Sequence, residues 1–244
     1  MFKKKAIACP TLKFIYIDAP KCASTSLKRW IYKIEFGKTF ERYKQDNRWI
    51  HVHNCGKFRR VPFPQLPEDQ QDYQIVTVIR DPIKRLLSAY SNRIVNFKEL
   101  GEQTTYSDRI KAENLKFNPN INYFISNLEA YQNCTNKAII LHHTRPVIDF
   151  IGEDLSLYTN IYPMEKLKQI KSDLLAGSNY ASPEQIPEIP KTQTGGPKLK
   201  LKRLKQKNFD KLLEYYAQDY QLLKDYYSIE KITQEYRESV NSDQ

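Results

Sequence analysis

Lys21 is followed closely by three hydroxyl side chains, Ser24, Thr25 and Ser26, a set suited to holding an anion. The hydroxyls and their backbone N–H groups can donate hydrogen bonds while the ammonium neutralises charge. The set lies between an apolar run, Phe14–Ile17, and a helical pattern in which Leu27, Trp30, Ile31 and Ile34 recur at i, i+3, i+4 and i+7. A helix start leaves about four N–H groups without intrahelical partners and carries roughly half a positive charge, so phosphate is the expected guest. The turn lacks the glycines of GxxxxGK[ST], and taken alone it fits a solvated lysine with capping hydroxyls equally well.

A second set repeats the logic. Arg80 ends a β-branched run, Tyr73–Ile79, and Asp81 with Pro82 then begins a helix whose face is Ile83, Leu86, Leu87, Tyr90 and Ile94 and which carries Ser88. Ligands of open α/β sheets sit at the carboxyl ends of strands, so one ligand with two anionic ends is expected. Between the sets, His51 and His53 in HVH are candidates for proton transfer, and alternation along an extended segment turns both imidazoles to one side. The competing reading is two hydrogen-bonded loop histidines. His142 and His143 read as structural groups, and Glu35 and Asp18 are further candidates for a base.

These residues need a sheet to position them. Strands at 14–17, 73–79 and, in KAIIL, 137–141 alternate with helices, among them TNIYPMEKLKQIKSDLL (159–175). A last helix carries Phe209, Leu212, Leu213, Tyr216, Tyr220 and Leu223 on one face. The alternation predicts an α/β fold with a central parallel sheet flanked by helices, as a single domain over 1–244. Residues 38–72 read as loops and short pieces of structure, 98–122 as a lid or acceptor-binding insert, and 176–198 as a long surface loop.

Lys and Arg outnumber Asp and Glu by 39 to 28, and the net charge of +11 favours an anionic partner. No apolar run reaches the roughly 18 residues of a membrane span, and MFKKKAIACP is too short and polar for a signal segment, so a cytoplasmic chain without membrane insertion is expected. Cys9, Cys22, Cys55 and Cys134 show no CxxC spacing; they read as structural thiols, and no metal site is expected. The charge and the 17 tyrosines would also suit a nucleic-acid-binding protein, but no reading motif appears and no nucleic-acid partner is expected. A nucleotide kinase would need a GK[ST] loop and an acidic magnesium ligand at a strand end. PKLKLKRLKQK (197–207) is either a solvated face or a contact for phosphates or an acidic acceptor.

At these motifs the chain resembles the sulfotransferases that use 3′-phosphoadenosine 5′-phosphosulfate (PAPS), closest to the carbohydrate branch, family 2, of heparan and chondroitin type. APKCASTSL (19–27) resembles that family's 5′-phosphosulfate loop, and VIRDPIKRLLSAYSNRI (78–94) resembles its 3′-phosphate element, RDPxxRxxSAY. RPVIDFIGED (145–154), YPMEKL (162–167), IPKTQTGG and YYAQDYQLLKDY are similar to its later segments. The resemblance implies a P-loop NTPase-like three-layer fold and transfer of a sulfuryl group from PAPS, without a metal, to a hydroxyl of an acceptor. The acceptor implied is a carbohydrate, anionic ones included.

It also implies roles. Lys21, Cys22, Ala23, Ser24, Thr25 and Ser26 would cradle the 5′-phosphosulfate, with Lys21 catalytic at the bridging oxygen; Arg80 and Ser88 would hold the 3′-phosphate. Lys191 and Thr192, within the cofactor-covering loop 176–198, would close over the donor. His53 would be the general base with His51 in support, and Arg85 is equally suited to a structural ion pair. Ala23 and Cys22 depart from the Gly and Thr common in the family's loop.

Overall fold

The computed structural model describes residues 4–176, 183–192 and 195–242. The chain divides into two compact units, Met1–Ile79 with Phe150–Gln193, and Arg80–Asp149 with Thr194–Gln244.

The first unit is built on a five-stranded sheet. Its strands are β1 (Lys4–Cys9), β2 (Phe14–Ile17), β5 (Arg60–Phe63), β6 (Gln74–Ile79) and β7 (Asn160–Pro163), in the order β5-β1-β2-β6-β7; β3 (Tyr43–Gln45) and β4 (Arg48–Ile50) form a separate hairpin. β2, β6 and β7 are parallel, with Tyr16 beside Val76 and Thr77 beside Ile161. The sheet is mixed rather than wholly parallel, because β1 runs antiparallel to both β2 and β5. β1 and β2 are joined by one short turn, Pro10–Leu12, which reverses the chain, whereas a parallel pair needs a long crossover.

All four residues of β2 are buried, as are Ala6, Ile7, Ala8 and Cys9 of β1. Helix α1 (Ser24–Phe36) follows β2 and buries Leu27, Trp30 and Ile31. Trp30 stacks on Phe14 at 5.9 Å and donates its indole N–H to Pro187 O at 2.6 Å. Gly37, at φ 69, ends the helix in the left-handed region that glycine enters without strain.

Two strand assignments change places. KAIIL is a turn leading into a helix, Ile140–Thr144, while Asn160–Pro163, read as part of a helix, is the edge strand β7. KAIIL has too few apolar residues for period to separate strand from helix. In NIYP, the β-branched and aromatic pair was masked by the helical signals of the residues after it.

The second unit is helical around one core. Helix α2 (Pro82–Tyr90) continues into a π-helical turn, Ser91–Asn96. Ile83, Leu86, Leu87 and Ile94 pack in the same cluster as Phe209, Leu212, Tyr216, Tyr220, Ile232 and Tyr236. The single C-terminal helix expected is broken into Gln206–Tyr215, Ala217–Leu222 and Ile229–Asn241. Leu100, Ile110 and Leu115, from the segment read as a lid or insert, are buried in this core. Of the loop 176–198, residues 177–182, 193 and 194 lie outside the described residues. Gly196, at φ 86, sits so close to Ser91 that a Cβ would meet its carbonyl and hydroxyl oxygens, and Ser91 Oγ donates to Pro197 O at 2.5 Å. Only glycine fits there.

Candidate functional site

In the first unit the turn between β2 and α1 has an unusual backbone. Lys21 and Ala23 both adopt left-handed conformations, φ 66 and φ 55, each costing about 1–2 kcal/mol for a residue with a Cβ. Such residues alternating with ordinary ones turn successive N–H groups toward one side, which makes an anion-binding concavity. Strain of this kind persists where the surroundings hold it, and functional turns are a common place. The first intrahelical bond is Leu27 N–H to Ala23 O, at 3.1 Å, so the N–H groups of Ser24, Thr25 and Ser26 precede the ladder. Ala23 stands at the cap position and no side chain caps the helix.

One of the two predicted covering residues, Thr192, reaches the start of α1. Thr192 donates its backbone N–H to Ser26 Oγ at 3.2 Å. Thr192 Oγ1 is buried and has no hydrogen-bond partner among the described residues. Lys191 is exposed, Lys21 and Thr25 are half-buried, and Cys22, Ser24 and Ser26 are buried.

HVH is not extended. His51 O accepts from Asn54 N–H at 3.0 Å, so His51 to Asn54 is a turn, with Val52 and Cys55 buried and both histidines exposed. His53 alone meets the anion loop: its Nε2 lies 2.9 Å from Thr25 Oγ1, and its Nδ1 lies 3.1 Å from Lys28 Nζ. His51 is held by its backbone, donating to Asn54 Oδ1 at 2.7 Å.

Lys28, only 3% exposed, pairs with Asp18 Oδ2 at 2.6 Å, and Asp18 also pairs with Lys4 at 3.2 Å. Burial pushes the Asp18 carboxyl up, but the ammonium groups of Lys28 and Lys4 outweigh it and hold the carboxyl well below its ordinary range. Asp18 is thus a fixed anion, occupied by two cations. Glu35 lies about 16 Å along the helix from its start, at 1.5 Å per residue, and accepts from Cys9 Sγ and Thr11 N, both at 3.1 Å. It is not placed at the turn.

In the second unit the helix start is closed. Asp81 Oδ1 accepts the Lys84 N–H at 2.9 Å, and its Oδ2 accepts the Tyr220 hydroxyl at 3.0 Å. Burial raises the Asp81 carboxyl, and these hydrogen bonds offset part of the rise. Arg80 precedes the cap and Ser88 lies on α2; both are half-buried. Lys84, one turn before Ser88, pairs with Glu235 at 2.6 Å.

Arg85 is fully buried and donates to the carbonyls of His143 and Arg145, with its guanidinium 5.8 Å from the Tyr216 ring. It satisfies the carboxyl end of the Ile140–Thr144 helix, a structural role through carbonyls rather than through an ion pair. His142 and His143 lie on that same helix with their rings 5.1 Å apart. In 197–207, Leu201 and Leu204 are buried while Lys198, Lys200, Arg203, Lys205 and Lys207 are exposed.

A model of the Sulfotransferase family matches residues 4–228. The chain belongs to the sulfotransferase family. No curated protein and no solved structure matches it significantly.

The residue of this sulfotransferase that sequence reasoning missed is Lys28. It stands beside Leu27 on α1, where a lysine reads as solvated, and its partner Asp18 is ten positions away on the other side of the loop. A lysine next to the apolar stripe of a helix that follows a strand-end aspartate was the available signal. All four cysteines are buried free thiols, as expected of structural ones. Among the described residues no helix is long and apolar enough to cross a membrane.

Proposed function

We propose that this sulfotransferase takes its sulfuryl group from PAPS and transfers it to a hydroxyl of a carbohydrate acceptor. The observation that carries the reading is the α1 start: an uncapped helix end, left-handed Lys21 and Ala23, and the buried Thr192 Oγ1, whose residue is hydrogen-bonded to Ser26. A buried hydroxyl without a partner among the described residues, on a residue bonded to Ser26, together with three N–H groups that precede the helix ladder, fits a phosphate. PAPS supplies the activated sulfur–oxygen bond.

In this reading the N–H groups and hydroxyls of Ser24, Thr25 and Ser26 hold the 5′-phosphate, and Thr192 with Lys191 covers it. Lys21 neutralises the charge that grows on the bridging oxygen as the bond to sulfur breaks, an interaction strongest in the transition state. As the acceptor oxygen bonds to sulfur, the bond from sulfur to the bridging oxygen breaks, and the acceptor's proton passes to solvent water or to the departing phosphate. Arg80 and Ser88 hold the 3′-phosphate through their side chains, since Pro82 has no N–H to offer and Asp81 takes that of Lys84. The carbohydrate acceptor is supported by the likeness of 78–94 to the carbohydrate branch and by the +11 charge.

Calorimetry with adenosine 3′,5′-bisphosphate, 5′-AMP and ATP tests this. The bisphosphate is expected to bind tightest; equal affinity for all three, or preference for ATP, would overturn the donor assignment.

A further inference from the structure

Four side chains of the first unit form a hydrogen-bonded chain that ends on the anion loop. Asp18 Oδ2 is 2.6 Å from Lys28 Nζ, Lys28 Nζ is 3.1 Å from His53 Nδ1, and His53 Nε2 is 2.9 Å from Thr25 Oγ1. An ammonium has three hydrogens and no lone pair, so His53 Nδ1 must accept from Lys28. The neutral ring then carries its proton on Nε2, and Nε2–H donates to Thr25 Oγ1. The Thr25 hydroxyl hydrogen is left to be given onward, beside the first N–H groups of α1.

We infer that Lys28 is a positioning residue: anchored on Asp18, it holds His53 as an Nε2–H donor onto Thr25, and through Thr25 His53 polarises the anion loop. From the buried ammonium to the imidazole to the hydroxyl the donors point the same way, and hydrogen bonds in such a series strengthen one another. Proton uptake by His53 in this arrangement would have to occur at Nδ1, which faces the Lys28 ammonium. A base role would require the acceptor to displace Thr25 and Lys28 to give up its contact. The inference rests on reading the loop as the site of the donor's 5′-phosphate.

Two measurements test it. Nitrogen-15 NMR of the full chain labelled at histidine, with the His53 signals identified by their loss in His53→Gln, is expected to show an unprotonated Nδ1 and a protonated Nε2. Lys28→Met should replace that fixed tautomer with an averaged one. Proton on Nδ1 in the wild type would overturn the inference, and this needs no variant beyond the one used for assignment. The second measurement is the affinity for adenosine 3′,5′-bisphosphate. His53→Leu should weaken it about tenfold, the scale of one lost hydrogen bond, and His53→Gln, whose amide N–H reaches the same place, should recover most of that loss. Unchanged bisphosphate affinity in His53→Leu is what a histidine acting only as a base would give, and it would overturn the inference while leaving the donor reading intact. A wild-type chain that fails to bind the bisphosphate would overturn the donor reading, and the inference with it.

Discussion

Residues 14–36 and 74–90 present the same parts in the same order, a buried strand, a short polar turn and a helix, yet they finish their helix starts in opposite ways. α1 begins after an alanine in a left-handed conformation with no capping side chain, whereas α2 begins on Asp81, which binds the Lys84 N–H. A carboxylate at the cap already serves the N–H groups and the dipole that an anion would use. The open end can therefore hold phosphate with its backbone, and in the proposed reading the closed end relies on Arg80 and Ser88. Under that reading, two motifs that look alike in sequence become one backbone site and one side-chain site.

The sharpest way to break this comparison is at Lys21. Removing a cation that acts on a developing charge commonly costs 100- to 1,000-fold, so Lys21→Ala is expected to lower turnover by about that factor. Its affinity for adenosine 3′,5′-bisphosphate should fall less than about tenfold, because the loop backbone remains. Turnover followed as bisphosphate released from PAPS, set beside calorimetry, separates the two. Normal turnover with only weaker binding would make the open end a docking site without a catalytic role.

At the closed end the expected loss lies in binding alone. Arg80→Ala removes a charge-assisted hydrogen bond of about 1.5–3 kcal/mol and should weaken bisphosphate binding roughly 10- to 100-fold while barely changing 5′-AMP. Equal losses for both ligands would make Arg80 structural, as Arg85 is.

Third in size is the cap itself. Asp81→Ala removes the cap and leaves the buried Tyr220 hydroxyl without its acceptor, together about 2 kcal/mol, read from the denaturant midpoint. Asp81→Asn keeps both partners and should cost little. The two strand-end carboxylates also titrate with opposite sign. Asp18 is held low in the folded state, so its contribution is complete above its unfolded value and is lost as pH falls through the folded one. Asp81 is raised, so folding disfavours its charged form and stability declines as pH rises from the unfolded value through the folded one. Asp18→Asn should flatten the acid limb of a stability–pH curve, and Asp81→Asn should remove the decline above it. A single effect at both would mean that the environments of the two carboxylates do not differ.

The sequence carried local features well and pairings poorly. The β2 run, the α1 stripe and the Asp-Pro cap of α2 are local, and each stands where its residues predict. β1 was not read as a strand because Lys4 and Lys5 open it, although Ala6 to Cys9 lie buried in the sheet. Whether β1 runs with or against β2 is set by a three-residue turn, and an alternation argument does not see it. The site divides the same way. Lys21 and the hydroxyls stand out by type and spacing, but the Lys28 bridge from Asp18 to His53 joins residues 18, 28 and 53 and exists only once the loop is folded. HVH misled for a related reason. Its spacing suits two imidazoles on one side of a strand, and a turn bond from His51 to Asn54 separates them.

The smallest expected effect concerns Ala23, where the departure from the glycine common in this family's loop meets the open helix end. At φ 55 an alanine carries about 1–2 kcal/mol of conformational strain that glycine does not. Glycine in turn loses more chain entropy on folding, about 0.4–1 kcal/mol. The difference leaves Ala23→Gly more stable by about 0.5 kcal/mol, seen as a higher denaturant midpoint at unchanged slope. Asp81 offers the contrast, since Asp81→Ala at the closed end is expected to destabilise. If Ala23→Gly is destabilising by more than about 0.5 kcal/mol, the alanine methyl packs usefully and the open end is not strained. The loop would then owe its shape to contacts around it rather than to tension held within it.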